Sequence, residues 1–129
     1  MTDMEYAYPN PAMATSGDLI RKKPDLIDRF MRAYVRAMHH ARNNKESTIK
    51  TLAKYTTVTD TVLLGKTYDF YLSKVLERAP YINMQGMQNA LEDLARTLPA
   101  AKTAKAEQFV DPRFLDRLEK SGLLKELYK

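Results

Sequence analysis

The amino-acid sequence predicts a mainly α-helical chain of five to six helices, with one short strand near the N-terminus. Two observations lead to this class. From Pro24 onward, apolar residues recur at spacings of three and four, which is the period of an α-helix. Only four glycines occur in 129 residues, and strong two-residue hairpin signals are absent. The chain therefore offers no β-sheet of its own, and the predicted strand has no partner within it.

The N-terminal segment differs from the rest in charge and in backbone preference. Residues 1–19 carry three acidic and no basic residues, and Pro9 and Pro11 favour extended or turn backbone. We therefore predict an acidic, extended lead-in over residues 1–11 and a domain over residues 12–129. The short strand is predicted over residues 12–20.

The clearest element is an amphipathic helix over residues 24–43. Pro24 suits a first-turn position, and Asn43 followed by Asn44 ends the pattern. The spacing places one set of residues inward, namely Ile27, Phe30 or Met31, Tyr34, Met38 and Ala41, and Leu26, Ala33 and Ala37 widen this apolar stripe. A second set marks the opposite, polar face: Asp25, Arg29, Arg32, Arg36, His39 and Asn43.

Candidate capping residues predict where the later helices begin and end. Thr59 and Asn83 are predicted N-caps, Asp111 with Pro112 predicts another helix start, and Gly122 predicts a left-handed helix end. The predicted helices cover residues 46–55, 60–75, 84–98, the stretch after Pro112 and a last turn over 124–128, with a loop over 100–110.

Charge and composition exclude several classes of protein. The chain has no cysteine, which excludes disulfides and cysteine zinc sites, and no apolar run long enough to span a bilayer. Residues 1–11 have neither the basic nor the apolar region of a signal peptide, so we expect none in this chain. Residues 20–54 carry ten basic against three acidic residues. This segment keeps open an alternative function, a free-standing basic helical interaction or nucleic-acid-binding module.

No catalytic or metal-binding motif is present in the sequence. His39 and His40 are neighbours and point about 100° apart on a helix, whereas a helical zinc pair needs a spacing of four. Glu92 and Asp93 are likewise adjacent, and Asp111 is better used as a cap. We therefore predict that the protein is not an enzyme, with no catalytic residue, no metal site and no cofactor.

Three stretches carry a family resemblance: PAMATSGDLIRKKPDLIDRFMRAYVRAMHHARNNKE, LGKTYDFYLSKVLERAPYINMQGMQNALEDL and AEQFVDPRFLDRLEKSGLLKELY. In this order and spacing they resemble the C-terminal part of ABC-transporter substrate-binding proteins. The type is the nitrate/taurine/sulfonate family, which includes thiamine-pyrimidine synthase-like proteins. The resemblance covers residues 11–129.

The resemblance implies a fold and a function. It implies the C-terminal portion of a two-lobe α/β fold, the periplasmic-binding-protein type II fold, whose missing N-terminal lobe would supply the sheet. The intact parent would be periplasmic and would bind a small organic solute without catalysis, for delivery to an ABC permease. Neither nucleic-acid binding nor a membrane span is expected. Tyr8, Asn10 and Thr15, in the segment that crosses between the lobes, are the expected ligand contacts.

Overall fold

The computed structural model describes residues 12–129, and this part of the chain is mainly helical, as predicted. It contains seven α-helices and no strand. The helices are α1 (Gly17–Lys22), α2 (Pro24–Asn43), α3 (Lys45–Thr56), α4 (Thr61–Phe70), α5 (Met84–Leu94), α6 (Arg113–Lys120) and α7 (Leu123–Leu127). A π-helical turn (Tyr71–Val75) continues α4, and two 3₁₀ turns (Pro99–Thr103 and Ala106–Phe109) follow α5.

The described residues form two compact units. The larger unit contains Thr15–Pro80 and Phe114–Lys129, and the smaller one contains residues 12–14 and Tyr81–Arg113. Whether the segment 12–129 belongs to a larger two-lobe fold remains a prediction from the resemblance.

The predicted strand over residues 12–20 is wrong, because its second half forms α1. Ser16 adopts an extended conformation, and its hydroxyl accepts the Leu19 N–H at 3.1 Å, which is an N-cap. Asp18 in the first turn and Arg21 near the last suit the helix dipole. A lone strand would leave its backbone groups without partners, whereas the helix satisfies them locally.

Helix α2 has the predicted bounds, and its buried side agrees with the prediction in part. Met38 is buried and Met31 packs against the core, as predicted, whereas Val35, which was not among the predicted inward residues, is fully buried in that core. Phe30, the predicted alternative to Met31, is exposed, and so are Leu26, Ala33 and Ala37, which were predicted to widen the inward stripe. The core side of α2 is therefore rotated away from Phe30 and toward Val35.

The core of the larger unit joins α2 to the last two helices. Val35 contacts a cluster of four buried leucines: Leu115, Leu118, Leu123 and Leu124. Gly122 supplies the turn between α6 and α7 with φ of 81°, a left-handed conformation that glycine adopts without steric penalty, as predicted. Asp28 of α2 and Arg117 of α6 add an ion pair, in which the guanidinium nitrogens lie 2.9–3.1 Å from the carboxylate oxygens.

Two further helices begin at N-cap residues, one of which differs from the prediction. The N-cap of α4 is Asp60 rather than the predicted Thr59, since the Asp60 carboxylate accepts the N–H groups of Val62 and Leu63 at 2.9 and 3.0 Å. Asn83 caps α5 as predicted, through the Gly86 N–H at 2.9 Å.

Helix α5 ends at Leu94, four residues before the predicted end. The Leu94 carbonyl accepts both the Thr97 and the Leu98 N–H, which tightens the last turn. Leu98 is extended because it precedes Pro99. The predicted loop over 100–110 contains the two 3₁₀ turns, which bury Ala101 and Ala106.

We predict that Leu118→Ala lowers the free energy of unfolding by about 2–5 kcal/mol, because Leu118 is 2% exposed and its truncation opens a cavity in the core. Leu63→Ala is the matched control, since Leu63 is 52% exposed. Urea denaturation followed by circular dichroism measures both. If the two substitutions lowered the free energy of unfolding equally, the assignment of Leu118 to the core would be wrong.

Candidate functional site

Two side chains, Tyr68 and Arg42, donate hydrogen bonds to free backbone carbonyls at the C-terminal ends of each other's helical segments. The Tyr68 hydroxyl donates to the carbonyls of Ala41 and Arg42, at 2.6 and 3.1 Å, at the end of α2. In the other direction, the Arg42 guanidinium donates to the carbonyls of Leu72, at 3.3 Å, and Leu76, at the end of the π turn. The last carbonyls of a helix have no partner within it, so these bonds satisfy groups that would otherwise be orphaned. We call this arrangement the reciprocal cap.

Two polar atoms at the reciprocal cap, Arg42 Nε and the Tyr128 hydroxyl, are buried and have no hydrogen-bond partner among residues 12–129. Burial raises the pKa of Tyr128, while the positive charges of Arg42 and Arg78 lower it in part. The His39 ring stands edge-on against the Tyr128 ring, with centroids 5.6 Å apart. This cluster joins α2 to the C-terminal residues.

The histidines and carboxylates do not assemble a metal site in the described part of the chain. No group of three or more His, Asp or Glu side chains that could hold a metal ion occurs in residues 12–129. His40 is exposed and has Asn44 Nδ2 3.2 Å from its Nδ1. Asp111 accepts the Arg113 N–H at the start of α6, so its capping role agrees with the prediction.

Only one of the three expected ligand contacts can be placed. Thr15 is exposed and lies directly before the N-cap of α1. Tyr8 and Asn10 lie outside the described residues. The role of all three in solute binding stays a prediction.

The outward side of α2 carries two parallel rows of residues that the core does not use. Successive residues turn by about 100° around a helix, so each row occupies one side. The apolar row lies opposite Val35 and consists of Leu26, Phe30, Ala33 and Ala37, all exposed. The basic row lies beside it and consists of Arg29, Arg32 and Arg36, also exposed.

The arginines of the basic row form no ion pair in the described part of the chain. None of its three guanidinium groups pairs with a carboxylate of residues 12–129. Asp25 is the acidic residue on the same side of α2, at its first turn. The other acidic residue of the helix, Asp28, is bonded to Arg117. This side of α2 therefore carries a net positive charge next to apolar side chains.

Comparison with protein-family models, with curated proteins and with solved structures finds no match to the chain. Within residues 12–129, no helix is both long and apolar enough to cross a bilayer.

We predict that Tyr68→Phe lowers the free energy of unfolding by about 1–3 kcal/mol, because it removes the hydroxyl that donates to two half-buried carbonyls at the end of α2. Tyr55→Phe is the matched control, since Tyr55 is 76% exposed, and it should leave stability unchanged. Urea denaturation measures both. A Tyr68→Phe protein as stable as the control would show that the reciprocal cap contributes nothing.

The pKa of Tyr128 gives a second prediction. Burial raises the pKa of the Tyr128 hydroxyl in the folded state above the ordinary tyrosine value of about 10. The contribution of the neutral hydroxyl to the free energy of unfolding is therefore fully present below the unfolded-state pKa and is lost as pH rises through the folded-state pKa. The free energy of unfolding should therefore fall above about pH 10, and less steeply in Tyr128→Phe. Tyr71→Phe, at an exposed position of the π turn, serves as the control. The same fall in both variants would contradict this role for Tyr128.

Proposed function

We propose that this chain is the C-terminal, mainly helical part of a solute-binding protein that captures a small organic solute for an ABC importer. Capture involves no chemical step. The solute lies between two lobes in the periplasm, and the crossing segment with Tyr8, Asn10 and Thr15 contributes contacts. The sequence resemblance over residues 11–129 supports this proposal, and one structural observation agrees with it.

That observation is the outward apolar face of α4. Leu64 and Tyr68 point inward and are buried, while Val62, Leu63 and Phe70 are exposed on the other side. A helix with apolar residues on both sides is typical of one packed between two layers. In two-lobe α/β proteins the helices lie against a sheet. A sheet of the N-terminal lobe would cover this face of α4.

The reading frame upstream of the Met1 codon provides the direct test. We expect it to continue in frame and to encode an α/β lobe preceded by a signal peptide. The product of that longer frame should gain thermal stability with one member of a panel of small organic solutes, since a ligand that binds only the folded state stabilises it. A stop codon immediately before Met1 would contradict the proposal, as would a longer product that no solute stabilises.

The uncovered face of α4 makes a prediction for the isolated chain. The chain should bind a hydrophobic dye such as anilinonaphthalene sulfonate, because exposed apolar patches of this kind are unusual on monomers. Val62→Ser combined with Leu63→Ser should reduce the dye fluorescence at least severalfold without lowering the melting temperature by more than a few degrees. Tyr55→Ser, at an exposed position on α3, is the control. Unchanged fluorescence in the double variant would locate the dye elsewhere and remove this support.

A second candidate function, the free-standing basic interaction module, is favoured by the basic row of α2. Three exposed arginines that form no ion pair within the described residues suit a polyanionic partner. This candidate requires binding that weakens steeply with salt and that is indifferent to small organic solutes.

A further inference from the structure

We infer that the outward side of α2 binds the anionic surface of a lipid bilayer. The inference rests on the second candidate function, the basic interaction module, and names its partner. The surface consists of the apolar row and the basic row, side by side on one helix of 20 residues. A surface-binding helix of this kind lies in the plane of the interface, with apolar side chains among the lipid chains and basic side chains at the headgroups.

The apolar row is what favours lipid over nucleic acid as the partner. Leu26 and Phe30 are 41% and 47% exposed, and Ala33 and Ala37 continue the row at spacings of three and four. Proteins that bind single-stranded nucleic acid stack bases on open aromatic faces. Phe30 is the aromatic residue of the row, and Tyr34 stacks on one face of its ring, with centroids 6.1 Å apart and planes 8° from parallel, so the row offers a base at most one open aromatic face. Leucine and alanines offer a lipid apolar contact but offer a base no stacking partner.

The basic row argues against a second copy of the chain as the partner. Two α2 helices joined along their apolar rows would bring two sets of Arg29, Arg32 and Arg36 to one interface. Residues flanking an apolar seam between helices set partner choice through opposite charges, and like charges disfavour pairing. Asp25 supplies a single carboxylate on this side of each helix. The partner must therefore bring negative charge of its own, as an anionic bilayer does.

The size of the apolar row limits the depth of binding. Residues 26–37 extend along the axis for about 17 Å, and two of the four apolar side chains are alanines. Such a row provides shallow contact, so the arginines must contribute much of the attraction. Arginine side chains are long enough to lay their methylene stems on the apolar surface while the guanidinium reaches the phosphates. Binding should accordingly require anionic lipid and decline with salt.

Vesicle co-sedimentation of the full chain tests this inference. Vesicles of phosphatidylcholine mixed with phosphatidylglycerol should bind the chain, and vesicles of phosphatidylcholine alone should not. The triple variant Arg29→Gln, Arg32→Gln, Arg36→Gln should lose about a hundredfold in affinity, since each basic residue near an anionic surface contributes about fivefold. Lys66→Gln, Lys74→Gln, Lys125→Gln changes the net charge equally at exposed positions outside α2 and should retain most of the binding.

The variant Phe30→Gln separates lipid contact from charge attraction. It keeps all three arginines and should lower vesicle affinity by roughly tenfold through lost apolar contact. Circular dichroism checks that each variant is folded. We expect all of them to fold, because the substituted positions are exposed. Equal loss in the two triple variants, or no loss in Phe30→Gln, would overturn the assignment of the surface.

A second assay measures the binding of the chain to single-stranded RNA. If the chain binds RNA in a salt-dependent manner but not anionic vesicles, the basic module stands and its lipid partner is wrong. If it binds neither, both the inference and the second candidate function fail.

Discussion

The reciprocal cap between Tyr68 and Arg42 is the interaction on which the larger unit depends. It ties the end of α2 to the end of the π turn through four hydrogen bonds between side chains and backbone carbonyls. Lys45, the first residue of α3, adds to this corner by pairing with Asp69 at 2.6 Å and by lying over the Tyr68 ring. With α2 held at this end, Val35 faces the leucines of α6 and α7, and the apolar and basic rows are left outside.

Elements with strong local signals could be predicted from the sequence, and elements governed by competing signals could not. Pro24 and the Asn43–Asn44 pair bound α2 as the structure has it, and Asn83 and Gly122 act as predicted. The strand over 12–20 failed because Ser16 supplies a cap that favours a helix, and a lone strand has no hydrogen-bond partner. Asp60 replaces Thr59 because its carboxylate reaches two backbone N–H groups.

The surfaces were harder to predict than the helices. Apolar residues of α2 extend from Leu26 around to Val35, an arc too wide for periodicity to say which edge faces the core. Phe30 could therefore be read as inward, and the structure exposes it. The reciprocal cap joins residues separated by 26–34 positions, and the Asp28–Arg117 pair joins residues 89 apart. No local pattern signals such contacts, although Arg29, Arg32 and Arg36 were correctly placed together on a polar face.

A double-mutant cycle between Tyr68 and Arg42 tests the reciprocal cap most directly. The cycle compares the unfolding free energies of Tyr68→Phe, Arg42→Met and the double variant with that of the original chain. Tyr68 bonds to the end of α2, which positions Arg42, and Arg42 bonds to the end of the π turn that follows Tyr68. We therefore predict a coupling energy of about 1 kcal/mol or more between the two substitutions. Effects that add to within about 0.5 kcal/mol would show that the two caps act independently and would contradict this account of the fold.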